Sequence, residues 1–439
     1  MGRGFGSTIL FLILSLGAVH SGRANSLTPE LSDPKPKTLK DAYQAAVLRS
    51  EALSMQMENW TQADLVDSQA VGALFPTING SYSFQQQGAS SSATGSSIFP
   101  SSQNLAKITL AQPLFRGLRD FAALRQKKSL VGAQQQAFLA AARQLFYDLS
   151  TAYYNVLSYQ QDEKNYVLEI DINRKRLKEL NAFVRIGRSQ LTDVLSLRAN
   201  IVSLEAELEK VHGQSETAKD ILSFLTGWPR TFLVQDSEPF LEHPDDIQSY
   251  LTKIEERPEV KAAIENAQAS DEGVAIAFGQ HLPSIDFLGN YYLKRPGVLS
   301  DVSWDIQLAM TVPIFQGGVV QSQVNQARSI SRQLNLQLSQ ARRLAEQEIR
   351  TFYNTLSADA KQLVKLKELV EVSQLNFQTQ SKYYRNGLVT NLEVLQATSS
   401  YRSGVRQLER QNYTLKMDTV KLQAATAQRA EIVVKLEAQ

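Results

Sequence analysis

Four short stretches of the chain alternate apolar and polar residues with a period of two. In 77–85, Ile78, Gly80, Tyr82 and Phe84 fall on one face, and Thr77, Asn79, Ser81, Ser83 and Gln85 on the other. In 106–114, Ile108, Leu110 and Leu114 oppose Lys107 and Thr109. In 284–293, Ile285, Phe287, Tyr291 and Leu293 oppose Ser284, Asp286 and Asn290. In 303–312, Trp304, Ile306, Leu308, Met310 and Val312 oppose Ser303, Asp305, Gln307 and Thr311. Period two predicts β-strands, and runs of this length with aromatics on the apolar face fit tilted membrane strands. A soluble antiparallel sheet with one wet face has the same alternation.

Elsewhere the period is 3.5. From Leu149, the positions Ala152, Val156, Tyr159, Glu163, Tyr166, Ile170, Asn173, Leu177, Leu180 and Val184 keep a strict 4-3 spacing. Two hundred residues on, Ile349, Phe352, Leu356, Asp359, Leu363, Leu366, Val370, Ser373, Phe377, Gln380 and Tyr384 keep the same spacing. Val194, Leu197, Ile201, Leu204, Leu208 and Val211 carry a returning heptad. Such persistence predicts long antiparallel coiled-coil helices. No proline interrupts 118–184, a span of roughly 100 Å at 1.5 Å per residue.

The two patterns occur twice in one order, which makes the chain a duplicated half-protein. Leu74-Phe75-Pro76-Thr77-Ile78 is echoed by His281-Leu282-Pro283-Ser284-Ile285, and Tyr153-Tyr154-Asn155 by Phe352-Tyr353-Asn354. The junctions Pro113-Leu114-Phe115-Arg116-Gly117 and Pro313-Ile314-Phe315-Gln316-Gly317 also correspond, as do Arg185-Ile186-Gly187 and Arg385-Asn386-Gly387. The predicted layout is a first repeat over 25–228 and a second over 259–439, joined by a connector at 229–258. The first holds a helical stretch at 39–72, strands at 76–87 and 104–115, and a helical hairpin with its tip near Gly187. The second holds a helix at 259–278, strands at 283–294 and 303–315, and a hairpin with its tip near Gly387. The Ser/Gly-rich, uncharged 86–103 reads as an exposed loop, expected to be extracellular, between two paired strands. Pro113, Gly117, Pro313 and Gly317 mark the strand–helix junctions, where proline ends ladder pairing and glycine permits a sharp change of direction.

Composition enters mainly by exclusion. The 439 residues include no cysteine and four histidines, and the net charge is +2. Thiolate metal sites, disulfides and cysteine nucleophiles are absent, and no histidines lie at metal-ligand spacing. No cofactor, metal or nucleic-acid partner is expected, and no catalytic constellation is present. Residues 1–24 have a basic Arg3, an apolar run from Ile9 to Leu16, and small residues Gly22 and Ala24. They read as a secretory signal peptide. No later run is long and apolar enough for a helical span.

Four strands cannot close a barrel, and open edges are not tolerated in lipid. Cyclic association of two, three or four copies would give 8, 12 or 16 strands, and twelve leave room for a water-filled lumen. With the strand starts, the Pro-Leu/Ile-Phe-x-Gly junctions and the tip motif Gly-x5-Asp/Glu-Val-Leu in both halves, the chain resembles the TolC family of outer-membrane efflux and secretion channels. The resemblance implies a mainly α fold with membrane β: a homotrimer with a 12-stranded β-barrel and a periplasmic α-helical barrel. It implies an exit duct in the outer membrane of a Gram-negative bacterium, serving an efflux pump or type I secretion system. A periplasmic adaptor and an inner-membrane transporter would be its partners. A periplasmic coiled-coil adaptor or scaffold with a soluble β domain is the rival reading.

The same resemblance makes Thr192, Asp193 and Tyr384 members of a network closing the periplasmic end, with Glu393 and Gln396 at the aperture. Two positions depart from the family pattern: Val389 stands where an arginine is expected, and Gln396 where a second acid is. Tyr384 and Asp193, with nearby Arg385 or Arg188, are then left to hold the gate. Asp193 and Glu393 also read as first-turn acids that complement a helix dipole. Arg185, Ile186, Gly187, Arg385, Asn386, Gly387 and Leu388 are the expected adaptor-contacting tips, or else capped turns in solvent.

Overall fold

In the computed structural model, residues 36–88, 102–236 and 244–426 are described. The segment expected to be a signal peptide (1–24), most of the 86–103 stretch expected as a loop, and part of the expected connector lie outside the described residues. The helices are α1 (Leu39–Arg49), α2 (Glu51–Gly72), α3 (Arg119–Arg185), α4 (Leu191–Thr226), α5 (Ile247–Leu251), α6 (Pro258–Phe278), α7 (Val319–Arg385) and α8 (Asn391–Ala425). The strands are β1 (Thr77–Gln86), β2 (Ser102–Arg116), β3 (Ser284–Lys294) and β4 (Trp304–Thr311).

The strands form one antiparallel sheet in the order β1-β2-β3-β4. Its register keeps like with like. Ile78 faces Leu110, which faces Gly289, which faces Ile306. One residue along, Asn79, Thr109, Asn290 and Asp305 form a row that is polar on all four strands. A one-residue slip at any pairing would mix the two faces.

Two boundaries differ from the sequence expectation. The strand placed at 303–315 ends at Thr311, because its neighbour β3 begins at Ser284, the residue Thr311 pairs with. Pro313 then has no ladder to join. In contrast, β2 outlasts its pairing with β1, which ends at Ala111, and runs on through Pro113 to Arg116 against β3 alone, with a register shift between Pro113 and Phe115. The stretch expected as one helix over 39–72 is two. Ser50 leaves the helical region (φ −66°, ψ 107°), and its hydroxyl accepts from the Leu53 N–H at 3.2 Å, capping α2.

α3 and α7 are each 67 residues long. α3 packs on α4 and α7 on α8, and α3 and α8 also meet, so the long helices lie in the order α4-α3-α8-α7. Tyr166, Ile170, Leu180, Val194, Leu197 and Ile201 fill the first hairpin. Ile349, Leu356, Leu363, Leu415 and Leu422 fill the second. A third cluster joins the hairpins to α1: Tyr43, Phe146, Leu149, Tyr153, Leu222 and Val420 are all buried in it. α6 packs on both α3 and α7. Its partner Arg143 on α3 pairs with Glu259 and Glu348, and the buried Arg257 binds Glu348 and the Ala345 carbonyl.

Gly117 connects β2 to α3 with φ +64°, and a Cβ there would come within 2.2 Å of the Gly279 carbonyl oxygen. Leu118 follows with φ 60°, an uncommon conformation for a side-chain-bearing residue. The second repeat uses Gly317 and Gly318 at the corresponding turn, with φ 60° and 79°.

Candidate functional site

The hairpin tips follow from glycine and a capping box. Gly187 and Gly387 adopt φ 71° and 75° with open space around them, so backbone conformation alone demands glycine. The Arg188 N–H reaches back to the Phe183 carbonyl at 2.9 Å, and the Leu388 N–H to that of Tyr383 at 3.0 Å. Asp193 then accepts from the Gln190 N–H at 3.2 Å and the Ser189 hydroxyl at 2.8 Å. Glu393 accepts from the Thr390 N–H at 2.7 Å and hydroxyl at 3.0 Å. Both carboxylates close capping boxes at the helix starts. Within one chain they are helix caps, and Glu393 is exposed as well.

The other expected tip residues are spread over the same end. Thr192 donates to the Gln190 side-chain oxygen at 3.2 Å, Arg185 to its own helix at Asn181, and Gln396 is exposed. Ile186 and Leu388 project into solvent at 64% and 69% exposure, with Arg385, Asn386 and the two glycines exposed beside them. Arg188 lies 6.0 Å from the ring centre of Phe183.

Tyr384 meets a residue that sequence reasoning passed over. The Arg176 guanidinium from α3 stands 5.1 Å from the Tyr384 ring centre on α7, and donates twice to the Asn391 side-chain oxygen on α8, at 3.2 and 3.1 Å. Burial lowers the pKa of this guanidinium. The tie between the hairpins near the tips is therefore Arg176, Tyr384 and Asn391. Among the described contacts of one chain, Tyr384 meets neither Asp193 nor Thr192.

Above the tips, charge continues along the contact between α3 and α8. Glu169, 2% exposed, pairs with Arg406, which also lies 4.5 Å from the ring centre of Tyr166. Asp162, 1% exposed, pairs with Arg410. Glu409 accepts from Gln161 at 2.8 Å and from Asn165. Burial raises both the Asp162 and Glu169 carboxyls, with their arginines opposing. The available signal was the flanking heptad position: counting Ala152 and Val156 as core, Asp162, Glu169 and Arg176 fall seven residues apart.

At the sheet, the polar face is a bonded network. Thr109 donates to Asn290 at 2.8 Å, Asn290 to Asp305 at 2.8 Å, and the Tyr292 hydroxyl to Asp305 at 2.8 Å. Arg116 pairs with Asp286 at 3.3 Å. The opposite face exposes Ile78, Tyr82, Ile108, Tyr291, Trp304 and Leu308. One face suits water and the other hydrocarbon.

Comparison with known proteins gives the same assignment. A family model described as outer membrane efflux protein matches residues 43–228 and 252–428. Outer membrane protein TolC of Escherichia coli is 22% identical over 424 residues, covering 91% of this chain and 84% of that protein. Among solved structures, the outer membrane protein VceC of Vibrio cholerae superposes with a TM-score of 0.77 at 20% identity, covering 88% of this chain and 95% of the other. The Campylobacter jejuni CmeC outer membrane channel also gives 0.77, at 17% identity, covering 91% and 89%.

Proposed function

The chain belongs to the outer membrane efflux protein family, and from that membership we propose that it is the outer-membrane exit duct of a tripartite efflux pump or type I secretion system. It sits in the outer membrane of a Gram-negative bacterium, with its helical part in the periplasm. Solutes pass through it passively, delivered by an inner-membrane transporter. The observation that carries the reading is the sheet register. Four strands sort a polar row of Asn79, Thr109, Asn290 and Asp305 against an apolar row of Ile78, Leu110, Gly289 and Ile306. A soluble adaptor domain would cover the exposed Trp304, Ile306 and Leu308 with its own core, whereas a lipid-facing wall leaves them bare.

In the duct, three copies join their sheets and helix layers into one tube. The exposed tips, led by Ile186 and Leu388, meet the hairpins of a periplasmic adaptor. Glu393, which also caps α8, contributes one carboxylate per copy to a ring at the periplasmic aperture. Gln396, exposed one turn on, adds no charge to the ring.

Purified protein reconstituted in planar bilayers tests the reading directly. The wild type is expected in the outer-membrane fraction as a heat-dissociable oligomer, and to give discrete conductance steps with a preference for cations. Recovery as a soluble periplasmic protein without conductance would overturn the duct. Glu393→Ala is expected to lower the cation preference. Unchanged selectivity in that variant removes Glu393 from the ring while leaving the duct standing.

A further inference from the structure

The charges of the sheet are gathered at the two ends of its polar face. The four strands and the 295–303 connection carry four basic residues, Lys107, Arg116, Lys294 and Arg295, and three acidic ones, Asp286, Asp301 and Asp305. Arg116 and Asp286 pair at the end next to the helices. The others lie toward the opposite end. Lys107 stands across the β2–β3 ladder from Tyr292, and Lys294 across it from Ala106. Arg295 folds back over the Tyr292 ring, 4.1 Å from its centre. Three cations therefore surround Tyr292. Lys107 lies nine positions before Arg116, roughly 30 Å along the strand and about 25 Å along the axis of a tilted barrel, the height of the apolar band. In the duct this cluster stands at the outer mouth.

These cations are only partly answered. Asp305 is the acid nearest to them on the polar face, and its oxygens accept from the Asn290 amide and the Tyr292 hydroxyl, each at 2.8 Å. Arg295 Nη1 lies 3.6 Å from Asp305, too far for a hydrogen bond, and is buried without a hydrogen-bond partner. Among its described contacts, Lys107 donates to a neutral amide, the Asn290 side-chain oxygen at 3.4 Å. Lys294 and Asp301 are exposed. The duplication does not account for the cluster. The repeat equivalents of Lys107, Lys294 and Arg295, offset by 200 or 207 residues, are Gln307, Gln87 and Gly88.

Resting on the duct reading, we propose that Lys107, Lys294 and Arg295 form a basic girdle inside the outer mouth that binds the anionic group, carboxylate or phosphate, of a departing solute. Rings of lysine and arginine are the pore lining that anions select, and a guanidinium presents a fork matched to carboxylate or phosphate oxygens. An oxygen at the girdle would supply the acceptor that Arg295 Nη1 lacks and relieve the repulsion among three neighbouring cations. Lys107 and Tyr292 share the polar face with Asp305, opposite Ile108, Tyr291 and Trp304, so the girdle opens to the lumen and not to lipid headgroups. The duct is then bipolar, with acids at the helical tips and bases at the mouth.

Planar bilayers test the girdle with inorganic tripolyphosphate as the probe. Full-length oligomer added to one chamber keeps its long polar helices on that side, which leaves the mouth facing the other. Tripolyphosphate on the mouth side is expected to at least halve the wild-type conductance, and to be at least fivefold less effective from the helical side. K107Q/R295Q is expected to raise the half-blocking concentration at least tenfold. K107E/R295E is expected to abolish that block and to give block by spermine from the mouth side. Oligomer migration controls for folding, and Lys294→Gln, at an exposed position, should raise the half-blocking concentration at least twofold without touching the Asp305 network. Equal block of wild type and variants, or equal block from the two sides, would overturn the girdle. Lipopolysaccharide in the mouth-side leaflet should leave the block unchanged; a wild type that it renders insensitive to tripolyphosphate would assign the cations to lipid phosphate and overturn the solute site. A wild type without conductance would overturn the duct. Calorimetry of tripolyphosphate with the detergent-solubilised oligomer then decides the girdle alone, and binding that K107Q/R295Q leaves unchanged would overturn it.

Discussion

Asp418 shows how one residue can carry a pH response for the whole helical part. It lies on α8 on the face turned to α7, is 5% exposed, and sits between the buried Leu415 and Leu422. Burial, reinforced by Asp359 from α7, pushes its carboxyl up to about 7, against the pull of Lys421 with its ammonium 3.5 Å away. A folded-state pKa above the ordinary 3.8 means that the folded chain binds the extra proton more tightly than the unfolded one. Stability contributed by the protonated group is complete below about pH 4 and is lost as pH rises through 7. Thermal unfolding of the wild type should therefore move upward between pH 8 and pH 5, by the equivalent of about 1–3 kcal/mol per chain. Asp418→Asn should flatten that dependence and raise stability at pH 8. Equal slopes for wild type and variant would remove Asp418 from the response. At this scale the sequence spoke clearly where backbone chemistry decides, as at Gly187 and Gly387, and left Asp193 and Glu393 between a gate role and a first-turn helix acid. It was silent on Arg176, because an arginine on a polar helix face looks the same whether it meets solvent or a second hairpin.

At the scale of elements, each strand has to satisfy two solvents at once. Ile306 and Gln307 are neighbours on β4, one in the apolar row across the sheet and the other on the polar face opposite Leu288. Ile306→Lys would put an ammonium on the lipid side, at a cost of up to about 2–4 kcal/mol near mid-membrane. Gln307→Lys adds the same charge to the wet side and should fold as the wild type does. Urea unfolding of the protein folded into lipid vesicles distinguishes them, and equal loss in the two variants would mean that the faces are misassigned. Strands and long helices were readable from the sequence because periods of 2 and 3.5 report which side of an element is buried. Their ends were less so. The strand predicted to run to 315 stops at Thr311 because of where β3 begins, a non-local fact. The break at Ser50 is hidden in a stretch where both flanking segments favour helix. The α3–α8 seam was missed for a related reason: heptad analysis finds what a helix buries against its hairpin partner, and the seam uses the next position round.

At the scale of the molecule, the sheet and the helix layer are both unfinished in the same sense. β1 and β4 are the edges of the sheet, and α4 and α7 the edges of the layer. With four alternating strands, β1 and β4 run antiparallel, so β4 of one copy can pair with β1 of the next and every junction in a closed ring is antiparallel. Among the described residues nothing pairs these edges, and lipid does not tolerate them bare. Covalent trapping gives the copy number. In the cysteine-free chain, one cysteine at Ser81 or Ser83 of β1 combined with one at Asp305 or Gln307 of β4 samples the registers available between copies. Oxidation in intact membranes should produce dimers and then trimers, with no larger product, since a ring of three has three such junctions. The β1 cysteine alone should trap nothing, because cyclic symmetry places β1 against β4 and never against another β1. A ladder ending at dimers would imply eight strands, too few for a water-filled lumen, and would overturn the three-copy tube along with the passage it is proposed to provide.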